Sequence, residues 1–231
     1  MNGPIEYIKE AFRIYTKKEN FIFFARIMAV LTIIATAISY LQTYISQFVI
    51  NPDIGRASLN FSNIPLTILY VVIAILSFIF FFYKSSTIFL AILNMNSDEK
   101  EVFKLSFKYL AKLFLIMFVV WLIVLFGLVL FIIPAILFMT WYQFSVYLVL
   151  DKNLKIGEAL KQSKVMVKGR FWKVLGRNAI FSLTMLIITA VLALIPYVGD
   201  ILAIFITPLF MLPVYLLYRD LSAGFKDSRT V

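Results

Sequence analysis

Lys84 is the residue whose type and position most invite chemistry. It stands inside a long apolar run, with SSTIFLAIL still to follow before Asn94, so about ten residues of helix would put it about 15 Å from that end. A lysine at the centre of a membrane helix costs about 2.5–3.5 kcal/mol on insertion scales, so such a side chain must snorkel, pair or face a polar cavity. The alternative is a helix that ends near Tyr83, with Ser85 onward lying along a surface. Gln143 and Asn178 are amides within apolar runs, suited to hydrogen-bonding across helices or to lining a passage. Pro208, with Pro213, interrupts the last apolar run, where freed carbonyls need partners and a kink is expected. Lys84, Gln143, Asn178 and Pro208 are therefore the candidate contacts for an intramembrane ligand or headgroup.

Conventional catalysis has little to work with. The chain has no histidine and no cysteine, which removes the commonest general base, the commonest metal ligands and the thiol nucleophile. No acid stands well inside an apolar run, which argues against a proton relay through a buried carboxylate. A P-loop, a GxSxG elbow and HExxH are all missing. The expectation is a protein that is not an enzyme, with no catalytic residue, metal or cofactor.

The elements that must position these residues are read from hydropathy. Apolar residues make up 62% of the 231-residue chain, against about 45–50% in soluble domains, and so much apolar surface needs lipid as part of its solvent. Six stretches are long enough to cross a bilayer: 21–45, 65–93, 113–131, 134–150, 174–195 and 201–218. The third and fourth meet at Ile133-Pro134 with no charge between them, which predicts a tight helical turn. The run from Phe21 followed by Ala35-Thr36-Ala37 has the look of a signal peptide, but the preceding Glu6, Glu10 and Glu19 and the apolar residues beyond Ala37 favour a first membrane helix. The net charge of +10 does not imply nucleic acid, because the bases lie between apolar runs rather than on one soluble face.

Charge orients the bundle. If the N-terminus, the 95–112 and 151–173 segments and the C-terminus share one side, 21 of the 22 Lys and Arg and ten of the twelve acids fall there, leaving Arg56 with Asp53 and Asp200 opposite. The positive-inside rule makes that side cytoplasmic, in the cell (inner) membrane, with both termini there.

A threefold repeat underlies this arrangement. EAFRIYTKKENFIFF from Glu10, EVFKLSFKYLAKLFL from Glu101 and EALKQSKVMVKGRFW from Glu158 each place a base three residues after the acid (Arg13, Lys104, Lys161) and an aromatic thirteen after it (Phe23, Phe114, Phe171). The expected fold is all-α: one integral membrane domain over 1–231, with internal repeats at about 5–94, 97–151 and 155–220. Its six transmembrane helices form three like-oriented hairpins, each preceded by an amphipathic cytoplasmic-side helix. The shared spacing also predicts Glu10–Arg13, Glu101–Lys104 and Glu158–Lys161 contacts along each lead-in helix.

In the lead-in segments, bases recur on one arc and apolar residues on the other. Arg13, Lys104, Lys108, Lys161, Lys164 and Lys168 would form a basic collar. Arg26 and Arg177, at the starts of the first and fifth spans, would reach headgroups as anchors. The plainer role for such a collar is as topology signals and elbows between hairpins.

Three stretches also carry a resemblance. FGLVLFIIPAILFMTWYQFSVYLVLDKN, IGEALKQSKVMVKGRFWKVLG and IPYVGDILAIFITPLFMLPVYLLYRDL resemble the membrane domain attached to some glycerophosphoryl diester phosphodiesterases and its stand-alone bacterial relatives. The likeness covers most of the chain and rests on hydropathy, prolines and an amphipathic segment. It implies a six-helix membrane fold without a reaction. In the fused proteins hydrolysis belongs to a separate soluble barrel that uses histidine and carboxylates, and this chain has no histidine to carry it.

The functional expectation is a non-enzymatic integral membrane protein engaging anionic lipid headgroups on the cytoplasmic side, a partner membrane protein or a second copy of itself. Its role would be envelope lipid handling or membrane scaffolding. The alternative is a permease moving a hydrophobic or anionic substrate through a central crevice near Lys84.

Overall fold

Apolar runs of this length satisfy their backbone in lipid only as helices, and helices dominate the fold. The computed structural model describes residues 2–51, 58–59, 64–195 and 198–226. In order, the elements are α1 (Pro4–Tyr15), α2 (Lys18–Val49), β1 (Ile50–Asn51), β2 (Ser58–Leu59), α3 (Ile64–Leu93), α4 (Glu99–Leu130), α5 (Ile132–Tyr142), α6 (Ser145–Lys152), α7 (Ile156–Val167), α8 (Phe171–Ala193), α9 (Val198–Phe205) and α10 (Thr207–Lys226). β1 and β2 form a short antiparallel pair. Arg56 and Asp53 lie outside the described residues.

Among the described residues, six segments are long and apolar enough to cross a membrane: α2, α3, α4, Ile132–Lys152, α8 and Ile201–Gly224. In the most apolar windows of α3 and α8 only 11% of residues are buried, and in α4 17%. Water would not tolerate that surface, so the chain is an integral membrane protein.

Local chemistry sets the breaks. α1 begins with Pro4 in its first turn, and the Gly3 N–H donates to the Glu6 carboxylate (2.9 Å). It ends at Thr16, whose N–H and hydroxyl both donate to the Phe12 carbonyl. α7 ends before Gly169, which sits at φ +80°, a conformation that glycine alone adopts without strain. The second lead-in has no such breaker, so α4 runs from Glu99 into its span as one helix of 32 residues. The middle lead-in is thus continuous with its span, whereas α1 and α7 are separate helices. α4 and α5 meet across Phe131, whose backbone is extended. A Cβ on Gly127 would stand 2.8 Å from the Phe138 ring and 3.0 Å from the Ala135 backbone, so only glycine lets the two helices approach this closely. Pro208 occupies the first turn of α10, where its missing N–H costs nothing.

The buried core gathers where the charged segments meet the span ends. It includes Tyr7, Ala11, Phe24, Ile27, Met28 and Leu31, then Leu90 to Ile92, Phe144 with Val146 to Leu150, and Leu212, Leu216, Leu217, Tyr218 and Leu221. α2 packs on α3, α4 on α5 and α8 on α9. The lead-ins then link neighbouring units: the start of α4 lies on α3, α7 on α5 and α6, and α1 on α10. Residues at one position of the repeat pattern bond each lead-in to a neighbour, Tyr15 reaching the end of α9 rather than α10. Tyr15 donates its hydroxyl to the Phe205 carbonyl (2.6 Å), Ser163 donates to the Trp141 carbonyl (2.6 Å), and the Ser106 carbonyl accepts from the Ser86 hydroxyl (3.3 Å). All three stand five residues after their acid, and all three are buried, as are Ala11, Val102 and Ala159 one residue after it.

The first and last helices are joined by two further polar contacts. The Tyr7 hydroxyl donates to Asp220 (2.6 Å), and Arg219 pairs with Glu10 (3.3 Å). Burial, followed by the Asp220 carboxylate, pushes the Tyr7 hydroxyl up to about 12. Burial also raises that of Tyr15. The expected pairing within each lead-in does not form among the described residues. Glu10 turns to the tertiary partner Arg219 instead, and Glu158 turns back to cap its own helix, accepting from the Lys155 N–H (3.4 Å); a neighbour pair worth only about 0.2–0.5 kcal/mol does not hold them.

Candidate functional site

α3 continues as helix to Leu93, so it does not end near Tyr83. Three contacts fix the level of Lys84 against α4: the Phe82 ring meets Phe114 edge-on (4.9 Å), the Tyr83 hydroxyl donates to the Phe103 carbonyl (3.3 Å), and Ser86 reaches Ser106. Lys84 therefore stands beside the turns of α4 that carry Lys108 and Lys112, next to the start of the apolar run at Leu113. The turns of α3 beyond it, Ser86 to Ile92, are covered by protein. Among the described residues Lys84 makes no hydrogen bond and no ion pair.

It lines two adjoining grooves. One, of about 400 Å³, is walled by Thr32, Ala35, Thr36, Ser39, Tyr40 and Thr43 of α2 with Ile204 of α9. The other, of about 240 Å³, adds Gln42 and Ser77, whose hydroxyl donates to the Gln42 amide oxygen (3.1 Å). The spacing 32, 36, 39, 43 puts four small hydroxyls on one face of α2. On the opposite side of the α2–α3 seam, a groove of about 450 Å³ is lined by apolar side chains such as Ile34, Leu41 and Leu76, with no charge to anchor a ligand.

The other candidates stand apart from Lys84. Asn178 donates its amide to the Gln143 oxygen (2.6 Å) and Gln143 donates to the Thr140 carbonyl (3.1 Å), while the buried Asn178 carbonyl oxygen has no partner. This pair ties α8 to the end of α5. Pro208 is buried at the start of α10. Neither the amides nor Pro208 line the Lys84 grooves, so the structure does not gather the four residues into one crevice.

The basic residues divide into two groups. Arg26 pairs with Glu99 across α2 and α4 (3.1 Å), with its side chain still 69% exposed. Arg177 donates to the Asn2 carbonyl (2.7 and 3.0 Å) and so clamps the N-terminal segment to α8. Arg13, Lys104, Lys108, Lys161, Lys164 and Lys168 are exposed without a carboxylate partner among the described residues. Lys164 lies 4.4 Å from the Trp141 ring, and Lys108 and Lys112 lie 5.9 and 5.7 Å from that of Tyr109, as cations held at an aromatic interface do.

The arrangement is that of a polytopic α-helical membrane protein with one unpaired lysine at the head of a hydroxyl-lined groove and a row of free bases beside its spans. Comparison with protein-family models, with curated proteins and with solved structures gives no match. Two features escape sequence reading. The hydroxyl face of α2 is visible as letters at helical spacing, yet Ser and Thr are ordinary in spans. The contacts of Tyr7 with Asp220 and of Tyr218 with Asp151 (2.7 Å) join residues far apart in the chain, with no local signature.

Proposed function

We propose that this chain is a non-enzymatic integral membrane protein whose basic collar engages anionic lipid headgroups, in envelope lipid handling or as a membrane scaffold. In this reading three like-oriented hairpins close into a ring around a pseudo-threefold axis, with amphipathic lead-in segments on the cytoplasmic side of the cell membrane and both termini there. The repeat-equivalent contacts of Tyr15, Ser106 and Ser163, together with the packing of α1 on α10, support the ring. The resemblance to phosphodiesterase membrane domains points the same way.

The observation that carries the lipid reading is the set of unpaired cations. Six exposed collar bases lack a carboxylate partner among the described residues, and they cluster next to apolar spans rather than over a soluble face. Cations so placed draw their counter-ions from the membrane, each base near an anionic surface being worth about 1 kcal/mol.

The test is lipid selectivity in reconstituted bilayers, read from the motionally restricted fraction of spin-labelled lipid. Phosphatidylglycerol should be favoured over phosphatidylcholine. The preference should fade at 1 M salt, where the Debye length falls to about 3 Å, and should shrink when Lys104, Lys108, Lys161 and Lys168 become glutamine. Equal restriction of the two lipids would refute it.

A further inference from the structure

The geometry points to a discrete binding site for one anionic phospholipid in the groove between α2, α3 and α9, its phosphate held by Lys84 and by hydroxyls of α2. The site deepens the lipid-engaging reading, but no collar base lines its grooves, and its occupant is a single bound lipid rather than a layer of counter-ions.

The behaviour of hydroxyls in this chain is the first argument. In a span, a Ser or Thr hydroxyl ordinarily satisfies itself by donating to the carbonyl four residues earlier. Ser77, Ser85, Thr87, Ser106, Thr140, Thr184, Thr189 and Thr207 all do so, at 2.6–3.1 Å. The groove face of α2 departs from this habit at four positions, whereas in the other spans a lone exposed serine, Ser182 of α8, is without a partner among the described residues. Thr32 has a buried hydroxyl oxygen with no partner, and Thr36, Ser39 and Thr43 donate to nothing among the described residues. Hydrocarbon cannot satisfy them, and leaving several polar groups unmade costs about 1–3 kcal/mol each. A ligand with several acceptor oxygens can.

Charge and depth supply the second argument. Lys84 lines the same groove, has no counter-ion among the described residues and stands level with Lys108 and Lys112, beside the start of the apolar run of α4. An ammonium at that level meets the phosphates of a bilayer rather than its tails. Thr36, Ser39 and Thr43 are exposed, so the groove opens sideways. A lipid can therefore enter from the membrane and leave its acyl chains in hydrocarbon, and no enclosed pocket is needed for them. A phosphate diester fits both requirements: one negative charge for Lys84 and free oxygens for hydroxyl donors.

The experiment is native mass spectrometry of the full chain in detergent, titrated with phosphatidylglycerol, phosphatidylcholine or inorganic phosphate, at low salt and at high salt. Wild type should retain one phosphatidylglycerol that survives high salt. Lys84→Met should weaken that lipid about tenfold or more, and Thr36→Val/Ser39→Ala by several-fold. Unchanged melting temperatures in detergent would show that both variants fold. The collar variant (Lys104, Lys108, Lys161 and Lys168 to glutamine) should lose only the salt-sensitive lipids.

If Lys84→Met and the hydroxyl variant both bind as wild type does, the groove site is overturned, whatever the collar variant shows. If the collar variant alone is silent, the collar reading falls and the groove stands. Equal retention of phosphatidylcholine, or displacement of the tight lipid by inorganic phosphate at comparable concentration, would overturn the assignment of an anionic phospholipid as occupant.

Discussion

Replacing Tyr7 by phenylalanine should loosen the joint between the first and last helices without disturbing its packing. The ring is 1% exposed and meets Phe181 edge-on, so phenylalanine keeps the buried surface and removes the hydroxyl that donates to Asp220 at 2.6 Å and accepts a longer contact from the Asn2 N–H at 3.3 Å. A hydrogen bond to a charged group contributes about 1.5–3 kcal/mol. Asp220 is only partly buried and regains some water when the bond is lost, so the lower part of that range applies, about 1.5–2 kcal/mol. For a chain of this size that corresponds to a fall in Tm of about 3–8 °C, read by thermal unfolding in a mild detergent. A double-mutant cycle with Asp220→Asn isolates the contact, and the two changes together should cost clearly less than their sum. The pH dependence gives the same contact a sign. The hydroxyl is pushed up to about 12 in the fold, whereas an unfolded tyrosine titrates near 10. The bond therefore stabilises fully below about pH 10 and is lost as pH rises towards 12, so the gap between wild type and Tyr7→Phe should close over that window. Additive effects in the cycle, or a gap that persists to pH 12, would refute the reasoning.

Two further substitutions probe the packing. Gly127→Val should destabilise the turn between α4 and α5 by about 1–3 kcal/mol, because the added carbons meet the Ala135 backbone and the Phe138 ring; an unchanged melting curve would contradict the close approach. Gln143→Leu should cost about 1–3 kcal/mol by stranding the Asn178 amide, and adding Asn178→Leu should recover most of it; no recovery would show that the two side chains do not act as a pair.

How far the letters reached depends on the range of the interaction. The six spans follow from composition and run length, since nothing but lipid can solvate such surfaces, and five of them begin within a few residues of the expected start; the third begins at Glu99, because its lead-in is fused to it. The interruption near Pro208 was legible, whereas the break at Gly169 shows only in the structure, and in the middle lead-in the lack of a breaker lets it run into the span as α4. The shared acid-to-base spacing suggested local pairs, but Glu10 finds Arg219 because α1 packs on α10, which no local pattern announces.

At the candidate site, Lys84 was conspicuous as a charge in an apolar run. Its level was not, because that depends on how α3 packs on α4. The hydroxyls of Thr32, Thr36, Ser39 and Thr43 stand at helical spacing in plain view, yet the residues alone do not reveal that these four fail to back-bond while others do.

The account rests on three copies of one unit inserted with the same polarity. The chain has no cysteine, so single cysteines can be placed at Lys9, Lys104 and Lys161 on the three lead-in segments without background. Labelling with a membrane-impermeant maleimide in sealed vesicles of known orientation should modify all three from the cytoplasmic face and none from the other. Labelling of any one from the opposite face would contradict the threefold, like-oriented architecture.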